Sequence, residues 1–219
     1  LDDAINAVRR RIDEGCRYGD FQFAIDANDE RFLRRGVLAC YKPAPTQQPA
    51  DHAAADLAPE TWLRLLRLAH EDKRAAFDLY AQHCLGTDGR CYWSDTMQLS
   101  TYLPSYAEYL ERERGAAASA APKETLVIGE HDVPHDRLMA FMQHARAVLR
   151  AHRSEVIYGT IRSIRHDTVS FLPWAKDDFA CVVFNLRTPH SAAGVARTAA
   201  AFRALSDASI ALGGSFFLT

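Results

Sequence analysis

The chain has 219 residues, 26 Lys and Arg against 28 Asp and Glu, and a formal net charge of −2. Apolar residues make up 48% and charged residues 25%, which is typical of a globular protein and excludes a wholly disordered chain. The near-neutral charge gives no electrostatic reason to bind nucleic acid or an anionic membrane. Because no apolar run reaches the roughly 18 residues of a membrane span and no secretory signal opens the sequence, we expect neither a membrane span nor secretion.

The cysteines and histidines do not predict a metal site. The five cysteines are an odd number, and no two of them have the C-x-x-C spacing of a zinc or redox site. Two histidines, His131 and His135, have Pro134 between them, so they cannot act as an i, i+4 pair on one helix face. We therefore expect reduced thiols in a cytoplasmic protein that holds no metal ion.

The first half predicts helices around a pair of strands. Residues 2–14 carry Ile5, Val8 and Ile12 at helical spacing before Gly15. Apolar and polar residues alternate over 20–26 and 32–42, which predicts two strands of a hairpin. An apolar stripe predicts one long helix from Pro59 to Gly86. The composition of 44–58 and 115–123 predicts flexible loops.

The second half repeats a strand–helix–strand pattern. Strands are predicted at 124–132, 155–164, 179–187 and 215–219, with helices after Pro134 and after a Thr188 cap followed by Pro189. The inner faces predicted from helical spacing are Leu138, Phe141, Met142, Ala145, Val148 and Leu149 in the first helix and Val195, Ala199, Phe202, Leu205 and Leu212 in the second. This order is the βαββαβ pattern of ferredoxin-like folds, with an antiparallel sheet and both helices on one face. We therefore predict a single α+β domain over 1–219, in which the N-terminal hairpin extends the sheet.

Strand alternation brings several polar side chains to the sheet face opposite the helices. The predicted set combines alternate residues of two strands with one from the hairpin, and comprises Tyr158, Thr160, Arg162, Asn185, Arg187 and Gln22. A solvated sheet face would also be polar. However, a mixture of Arg, Asn, Thr and Tyr without Lys or Glu is typical of a pocket that binds a hydroxyl- or carboxylate-bearing ligand.

The sequence lacks the short motifs that mark common catalytic sites. It contains no G-x-G-x-x-G, P-loop, G-x-S-x-G or H-E-x-x-H pattern. The carboxylates are dispersed along the chain, so no acid–base pair can be assigned. The catalytic residues are therefore unknown. The chain also carries no sequence signature of a domain that binds a nucleotide cofactor by itself.

Five stretches resemble a known family. They are YGDFQFAID (18–26), FLRRGVLACYKP (32–43), YGTIRSIR (158–165), DFACVVFNL (178–186) and GGSFFLT (213–219). Together they look like the C-terminal half of FAD-linked oxidoreductases of the vanillyl-alcohol oxidase superfamily, and most like its aldonolactone and alditol oxidase branch.

The resemblance implies a substrate or cap domain whose open sheet face lies over the flavin of FAD. FAD would be held mainly by a separate domain of the same polypeptide, of which this chain would be a fragment that is inactive alone. The substrate would be a hydroxylated small molecule that passes a hydride to the flavin. Arg162 matches an Arg that contacts substrate or flavin in polyol-oxidising relatives, and Asn185 matches a polar or His position. Thr160 stands where relatives often carry an acid.

Two other functions are compatible with the same residues. One is a non-catalytic ferredoxin-like module whose open face binds a small metabolite and regulates a partner domain. The other is a small α+β oxygenase whose sheets pair across a homodimer. The sequence immediately upstream of Leu1 would distinguish the first of these from a flavoenzyme.

Overall fold

The computed structural model describes residues 1–45, 57–91, 112 and 123–218. The chain divides into two compact units, one made of Leu1–Lys42 with Lys123–Thr219 and the other of Pro43–Pro122. The described residues form an α+β structure with one six-stranded antiparallel sheet and five α-helices. Among them no helix combines the length and the apolar character needed to cross a bilayer. That residues 1–219 make a single substrate-binding domain stays a prediction.

The first unit contains the whole sheet. Its strands are β1 (Tyr18–Phe23), β2 (Gly36–Tyr41), β3 (Glu124–Pro134), β4 (Glu155–Ile164), β5 (Phe179–Pro189) and β6 (Ser215–Leu218). They lie in the order β2-β1-β4-β5-β3-β6, and every neighbouring pair is antiparallel. The four C-terminal strands agree closely with the predicted ones, because strict alternation of apolar residues marks strands buried on one face.

Two helices pack together on one face of this sheet. They are α4 (Leu138–Ala151) and α5 (Ala192–Ala211). The side chains that α4 buries are the six predicted from its spacing: Leu138, Phe141, Met142, Ala145, Val148 and Leu149. Rings from both helices, Phe141 and Phe202, contact His131 of β3. The apolar core therefore lies between these helices and the sheet, which leaves the other sheet face for polar groups.

The start and the inner face of α5 differ from the prediction. The cap is Ser191, whose Oγ accepts a hydrogen bond from the Gly194 amide at 3.1 Å. Thr188 belongs to β5 instead, and its hydroxyl donates to Thr198. The predicted inner residue Val195 is exposed, whereas α5 buries the small or hydroxyl-bearing residues Gly194, Thr198, Ala201, Ser206 and Ser209 beside Phe202 and Leu205. Small side chains let a helix approach a sheet closely. A prediction that follows only the spacing of large apolar residues does not identify these positions as buried.

The N-terminal strands are shorter than predicted because their connection turns into the core. The first helix, α1 (Asp2–Asp13), ends before Gly15, where the backbone has a φ of +92°. Between β1 and β2, Phe32 and Leu33 are fully buried, and Leu33 has a φ of +59°. Arg150 of α4 donates hydrogen bonds to two carbonyl oxygens of this connection and lies over the Phe32 ring.

A β-bulge interrupts β4 between Val156 and Tyr158. Before it, Glu155 pairs with Arg187 and Val156 with Leu186; after it, Tyr158 pairs with Asn185. The extra residue is Ile157, which reverses the alternation at this point. As a result, Glu155 and Tyr158 point to the same face although they are three residues apart.

In the second unit, the predicted long helix is two helices. These are α2 (Pro59–Glu71) and α3 (Lys73–Gly86). Asp72 separates them: its backbone is extended, at φ −143° and ψ 84°, and its carboxylate accepts a hydrogen bond from the Ala75 amide. An Asp in this position starts a new helix by capping it. The loops predicted at 44–58 and 115–123 lie almost wholly outside the described residues, and for them the prediction stands untested.

His131 is a buried histidine in the core beneath α4 and α5. Its Nδ1 lies 3.2 Å from the Ser209 hydroxyl, which itself donates to the Leu205 carbonyl oxygen. The contact with Ser209 leaves Nε2 as the ring nitrogen without a hydrogen-bond partner. Burial lowers the pKa of His131 from 6.5 to about 4, because the surrounding phenylalanine rings cannot solvate a cation.

This burial predicts a loss of stability in mild acid. An unfolded chain protonates His131 near its ordinary pKa, whereas the folded chain resists until about pH 4. The free energy of unfolding is therefore expected to fall by about 3 kcal/mol as the pH drops from 6.5 to 4. Burial also raises the pKa values of Asp20 and Asp132, and these two groups act in the opposite direction.

The comparison that isolates His131 is the variant His131→Gln, measured by urea unfolding at several pH values. Glutamine can still donate a hydrogen bond to Ser209 but cannot titrate. We expect the variant to lack the loss of stability in mild acid that His131 causes. It should keep the stabilisation that the two buried aspartates contribute as the pH falls. If the free energy of unfolding depends on pH in the same way in both proteins, His131 accepts a proton near its ordinary pKa while the protein is folded, and the prediction is wrong.

Candidate functional site

The structure brings the six predicted residues to one face of the sheet. We call the face opposite α4 and α5 the open face; several of its side chains, including Thr160, Cys181 and Asp132, are nevertheless buried. On it, Tyr158 pairs with Asn185 across β4 and β5, and Gln22 pairs with Thr160 across β1 and β4. Arg162 lies two residues beyond Thr160 on the same parity, and Arg187 lies two residues beyond Asn185. The predicted geometry is therefore present, while the roles of these residues remain predictions.

Thr160 and Asp20 form the best-defined contact of the open face. The Thr160 hydroxyl is fully buried and lies 2.7 Å from the Asp20 Oδ2 atom, to which it donates, and 3.3 Å from the Phe21 carbonyl oxygen. Burial raises the pKa of Asp20, and the Thr160 hydrogen bond and the nearby Arg162 charge offset part of that increase. Burial also raises the pKa of Tyr158, and the negative charge of Asp20 adds to the effect.

A second row of polar groups crosses four strands in register. Arg162 pairs with Cys181, Cys181 with Asp132, and Asp132 with Ser215. The Cys181 thiol lies 3.8 Å from a carboxylate oxygen of Glu130, and burial raises the pKa of that thiol. Cys181 is thus a protonated, buried thiol under ordinary conditions, not a nucleophile.

This row corrects the expectation that the open face holds no Glu. Glu130 and Asp132 both point to it, and with Asp20 they bring three carboxyl groups to the same face as Arg162. Burial raises the pKa of Asp132, and the Glu130 charge raises it further. The face is therefore richer in hydrogen-bond acceptors than the sequence predicted, which favours a ligand that carries donors such as hydroxyl groups.

Two acceptor atoms on the open face are buried without a hydrogen-bond partner. They are Oδ1 of Asn185 and Oδ1 of Asp132. Most buried side-chain oxygens in proteins are hydrogen-bonded, so such atoms require an explanation. Because both atoms are inaccessible from outside, an ordered internal water is the donor that would satisfy them.

Unlike Arg162, Arg187 is held by two carboxylates of the protein. Its Nη1 atom lies 2.8 Å from a Glu155 carboxylate oxygen, and its Nε atom donates to Glu124. Two carboxylates therefore neutralise its guanidinium and fix it at the end of the sheet. Arg187 shares the open face but is held by protein groups, so we assign it a structural role in the ion-pair cluster.

The predicted site left out four residues of this face: Asp20, Glu130, Asp132 and Cys181. Asp20 alternates with Phe21, so strand parity alone could have placed it on the open face. The ambiguity lay in β3, where polar residues occupy both faces because His131 is buried in the core. Only the observed registers separate the two sets.

Two other features of the described residues bear on the choice of site. An apolar cleft lies on the helix side, between α1 and the sheet, and its walls include Ile5, Val8, Ile12, Phe21, Leu138 and Ile161. The same lining also includes His135, Arg162 and Ser163, so Arg162 adjoins both this cleft and the polar row. No cluster of three His, Cys, Asp or Glu residues within the described ranges could hold a metal ion, and all five cysteines are free thiols.

Comparison with known proteins does not identify a relative. No protein-family model, no curated protein and no solved structure matches this chain.

Proposed function

We propose that this chain is the substrate-binding region of a FAD-dependent oxidoreductase that oxidises a hydroxylated small molecule, with FAD held mainly by another domain of the same polypeptide. The observation that carries the proposal is the grouping of Tyr158, Thr160, Arg162 and Asn185 on one sheet face, beside the Asp20 carboxyl group. A fixed cation next to several acceptors is suited to orienting a polar substrate.

The five stretches that resemble the oxidoreductase family support this proposal by their position. Each of them contributes to one strand: β1, β2, β4, β5 or β6. They are far apart in the sequence, yet the first four form consecutive neighbours in the sheet. Side chains of neighbouring strands that point to one face can line one site. The stretches that carry the resemblance therefore lie where they can contribute to a common site.

We further infer that residues 124–218 form a ferredoxin-like core, which β1 and β2 extend. Two observations support this inference. The order of elements is strand, helix, strand, strand, helix, strand, and the four strands lie in the order β4-β5-β3-β6. In such a fold both helices pack on one face and the other face carries the polar groups, of which Thr160 and Asp132 are buried here.

The open face fits the polar edge of a flavin. That edge carries carbonyl oxygens, which accept hydrogen bonds, and a ring N–H group, which donates one. Arg162 supplies donors, and Asn185, which is partly exposed, supplies a side-chain amide. Arg162 and Asn185 are therefore the residues of this chain that would contact FAD, which when bound accepts a hydride from the substrate carbon.

The remaining residues of the site would bind and orient the substrate. Arg162 would hold a substrate oxygen and stabilise negative charge that develops on it. Asp20 places a carboxyl group next to Thr160, in the position where relatives often carry an acid on the strand itself. Its raised pKa makes Asp20 a better proton acceptor than an ordinary carboxylate, so it is suited to receive a substrate hydroxyl proton.

The test is the flavin content of the complete polypeptide. We expect the purified protein to be yellow, or to become so when FAD is added, and its flavin absorbance to bleach under anaerobic conditions with a member of a panel of alditols and other hydroxylated compounds. Adding FAD throughout the purification controls for loss of a weakly bound cofactor. A polypeptide that binds hydroxylated compounds but never FAD would instead support the non-catalytic binding module.

A further inference from the structure

The apolar cleft between α1 and the sheet (the α1 cleft) is not closed by the helix that covers it. The residues of α1 that line it have helical spacing and are Ala4, Ile5, Val8 and Ile12. All four are only partly buried, whereas Phe21 and Ile161, which line it from the sheet, are buried. Part of the apolar side of α1 is therefore available to a ligand in the cleft.

The α1 cleft lies where β1 and β4 separate. Two residue pairs join these strands, and the pair at the cleft is Phe21 with Ile161. The next two residues of β4, Arg162 and Ser163, also line the cleft. Because β1 does not continue beside them, Arg162 can border this cleft on the helix side although its parity is that of the open face.

Hydrogen-bond donors gather in the part of the cleft that β4 forms. The Nε2 atom of His135 lies 2.9 Å from the Phe179 carbonyl oxygen, and this nitrogen carries a proton because a carbonyl oxygen can only accept. The Ser163 hydroxyl lies 3.2 Å from the same nitrogen, so its oxygen accepts there and its own proton is left for another acceptor. The neighbouring Arg162 adds a guanidinium.

The charge of the α1 cleft is positive. Its lining includes the guanidinium groups of Arg9 and Arg162, and none of the described residues that line it is an Asp or Glu. Arg162 also interacts electrostatically with Asp20. Arg9 is exposed, and the ion pair described within α1 uses Arg11 and Glu14 instead. In a chain with more acidic than basic residues, such a lining favours an anionic ligand.

We propose that the α1 cleft binds a medium-chain fatty acid, with its hydrocarbon tail along α1 and its carboxylate at Arg162 and Ser163. The stripe from Ala4 to Ile12 is about 12 Å long at the rise of an α-helix, which suits an extended aliphatic tail. Arg9 contributes attraction for the carboxylate at longer range. This binding goes beyond the proposed function and requires no flavin.

The test is isothermal titration calorimetry of the complete polypeptide with sodium decanoate, below the concentration at which decanoate forms micelles. We expect saturable binding of one decanoate per chain. Decyltrimethylammonium has the same tail with the opposite charge, and it should bind at least about tenfold more weakly because the cleft is cationic. Butyrate keeps the carboxylate but lacks most of the tail, and it should bind at least about 100-fold more weakly.

Val8→Glu tests whether decanoate occupies this cleft. Val8 is partly exposed on α1, so the protein should fold, which far-UV circular dichroism checks. The added carboxylate repels that of the ligand, and the dissociation constant for decanoate should rise at least about tenfold. Asn6→Glu is the matched control, because it adds the same charge on the exposed side of the same helix. It should leave the dissociation constant within about twofold of the wild type.

Arg9→Gln keeps the test open if Val8→Glu does not fold. Arg9 is exposed, so its replacement should not disturb the core. We expect the dissociation constant for decanoate to rise by about two- to fivefold at low salt, which is the effect of one exposed charge pair.

The outcomes separate this inference from the proposed function. No saturable binding of decanoate overturns it. Equal affinity for decyltrimethylammonium also overturns it, since the site would then not select a carboxylate. An affinity unchanged by Val8→Glu in the folded variant overturns it as well, because decanoate would bind elsewhere. The titration contains no FAD, so a polypeptide that binds decanoate in the cleft but never binds FAD supports this inference and contradicts the proposed function.

Discussion

Replacing Arg162 by alanine in the complete enzyme is expected to lower kcat/KM for its hydroxylated substrate by roughly 30- to 1,000-fold. That range corresponds to about 2–4 kcal/mol of lost transition-state stabilisation, as seen when a charge-stabilising donor is removed. The expectation follows from the position of Arg162, which lies in register with Cys181 on the open face and close to Asp20. Its guanidinium would orient a substrate oxygen and stabilise the charge that forms there.

The measurement is the rate of anaerobic flavin reduction over a range of substrate concentrations, which separates binding from the chemical step. Arg162→Lys should recover part of the rate, since it keeps the charge but loses the planar fork of donors. Arg203→Ala is the matched control, because Arg203 is exposed on α5, on the other side of the sheet. Equal rates for Arg162→Ala and the wild type would remove Arg162 from the site.

Gly159→Ala is expected to destabilise the folded protein by about 2–3 kcal/mol or more. A Cβ atom at this position would lie 2.3 Å from two ring carbons of Phe23, well inside van der Waals contact. Phe23 is fully buried, and its ring packs on Phe184 with centroids 5.6 Å apart, so it has no free space into which it could move. Overpacking of a closed core forces strained rotamers and backbone shifts of this energetic size.

Urea unfolding at neutral pH measures this effect. The control is Gly86→Ala at the end of α3, where an added Cβ meets no atom within 4 Å. There, alanine should leave stability unchanged or raise it by up to about 1 kcal/mol. Combining Gly159→Ala with Phe23→Leu should restore part of the loss, since the smaller side chain makes room. Wild-type stability in Gly159→Ala would contradict the packing of β1 against β4.

Strand parity and helix spacing predicted much of the fold because burial acts directly on them. The buried face of α4 and the grouping of Tyr158, Thr160 and Arg162 both follow from the period of the backbone. The features of the fold that could not be predicted depend on hydrogen bonds of individual polar atoms. Asp72 divides a continuous apolar stripe by capping the Ala75 amide, and a single carboxylate has no signature in a periodic pattern.

The composition of the candidate site was harder to predict than its location. In β3, His131 is buried in the core although it is polar, so an apolar–polar rule cannot tell its face from that of Asp132. The contact between Thr160 and Asp20 joins residues 140 positions apart. It exists only because β1 lies beside β4, and that neighbour relationship is a property of topology, which local sequence does not encode.

The bulge at Ile157 has a consequence for the electrostatics of the whole sheet face. The bulge accommodates that one additional residue, so Glu155 and Tyr158 share a face although three positions separate them. If Ile157 took a regular ladder position instead, Glu155 would point towards the helices, and Arg187 would keep one carboxylate partner, Glu124. The sheet face would then be more positive by one charge, with every ligand-facing side chain left intact.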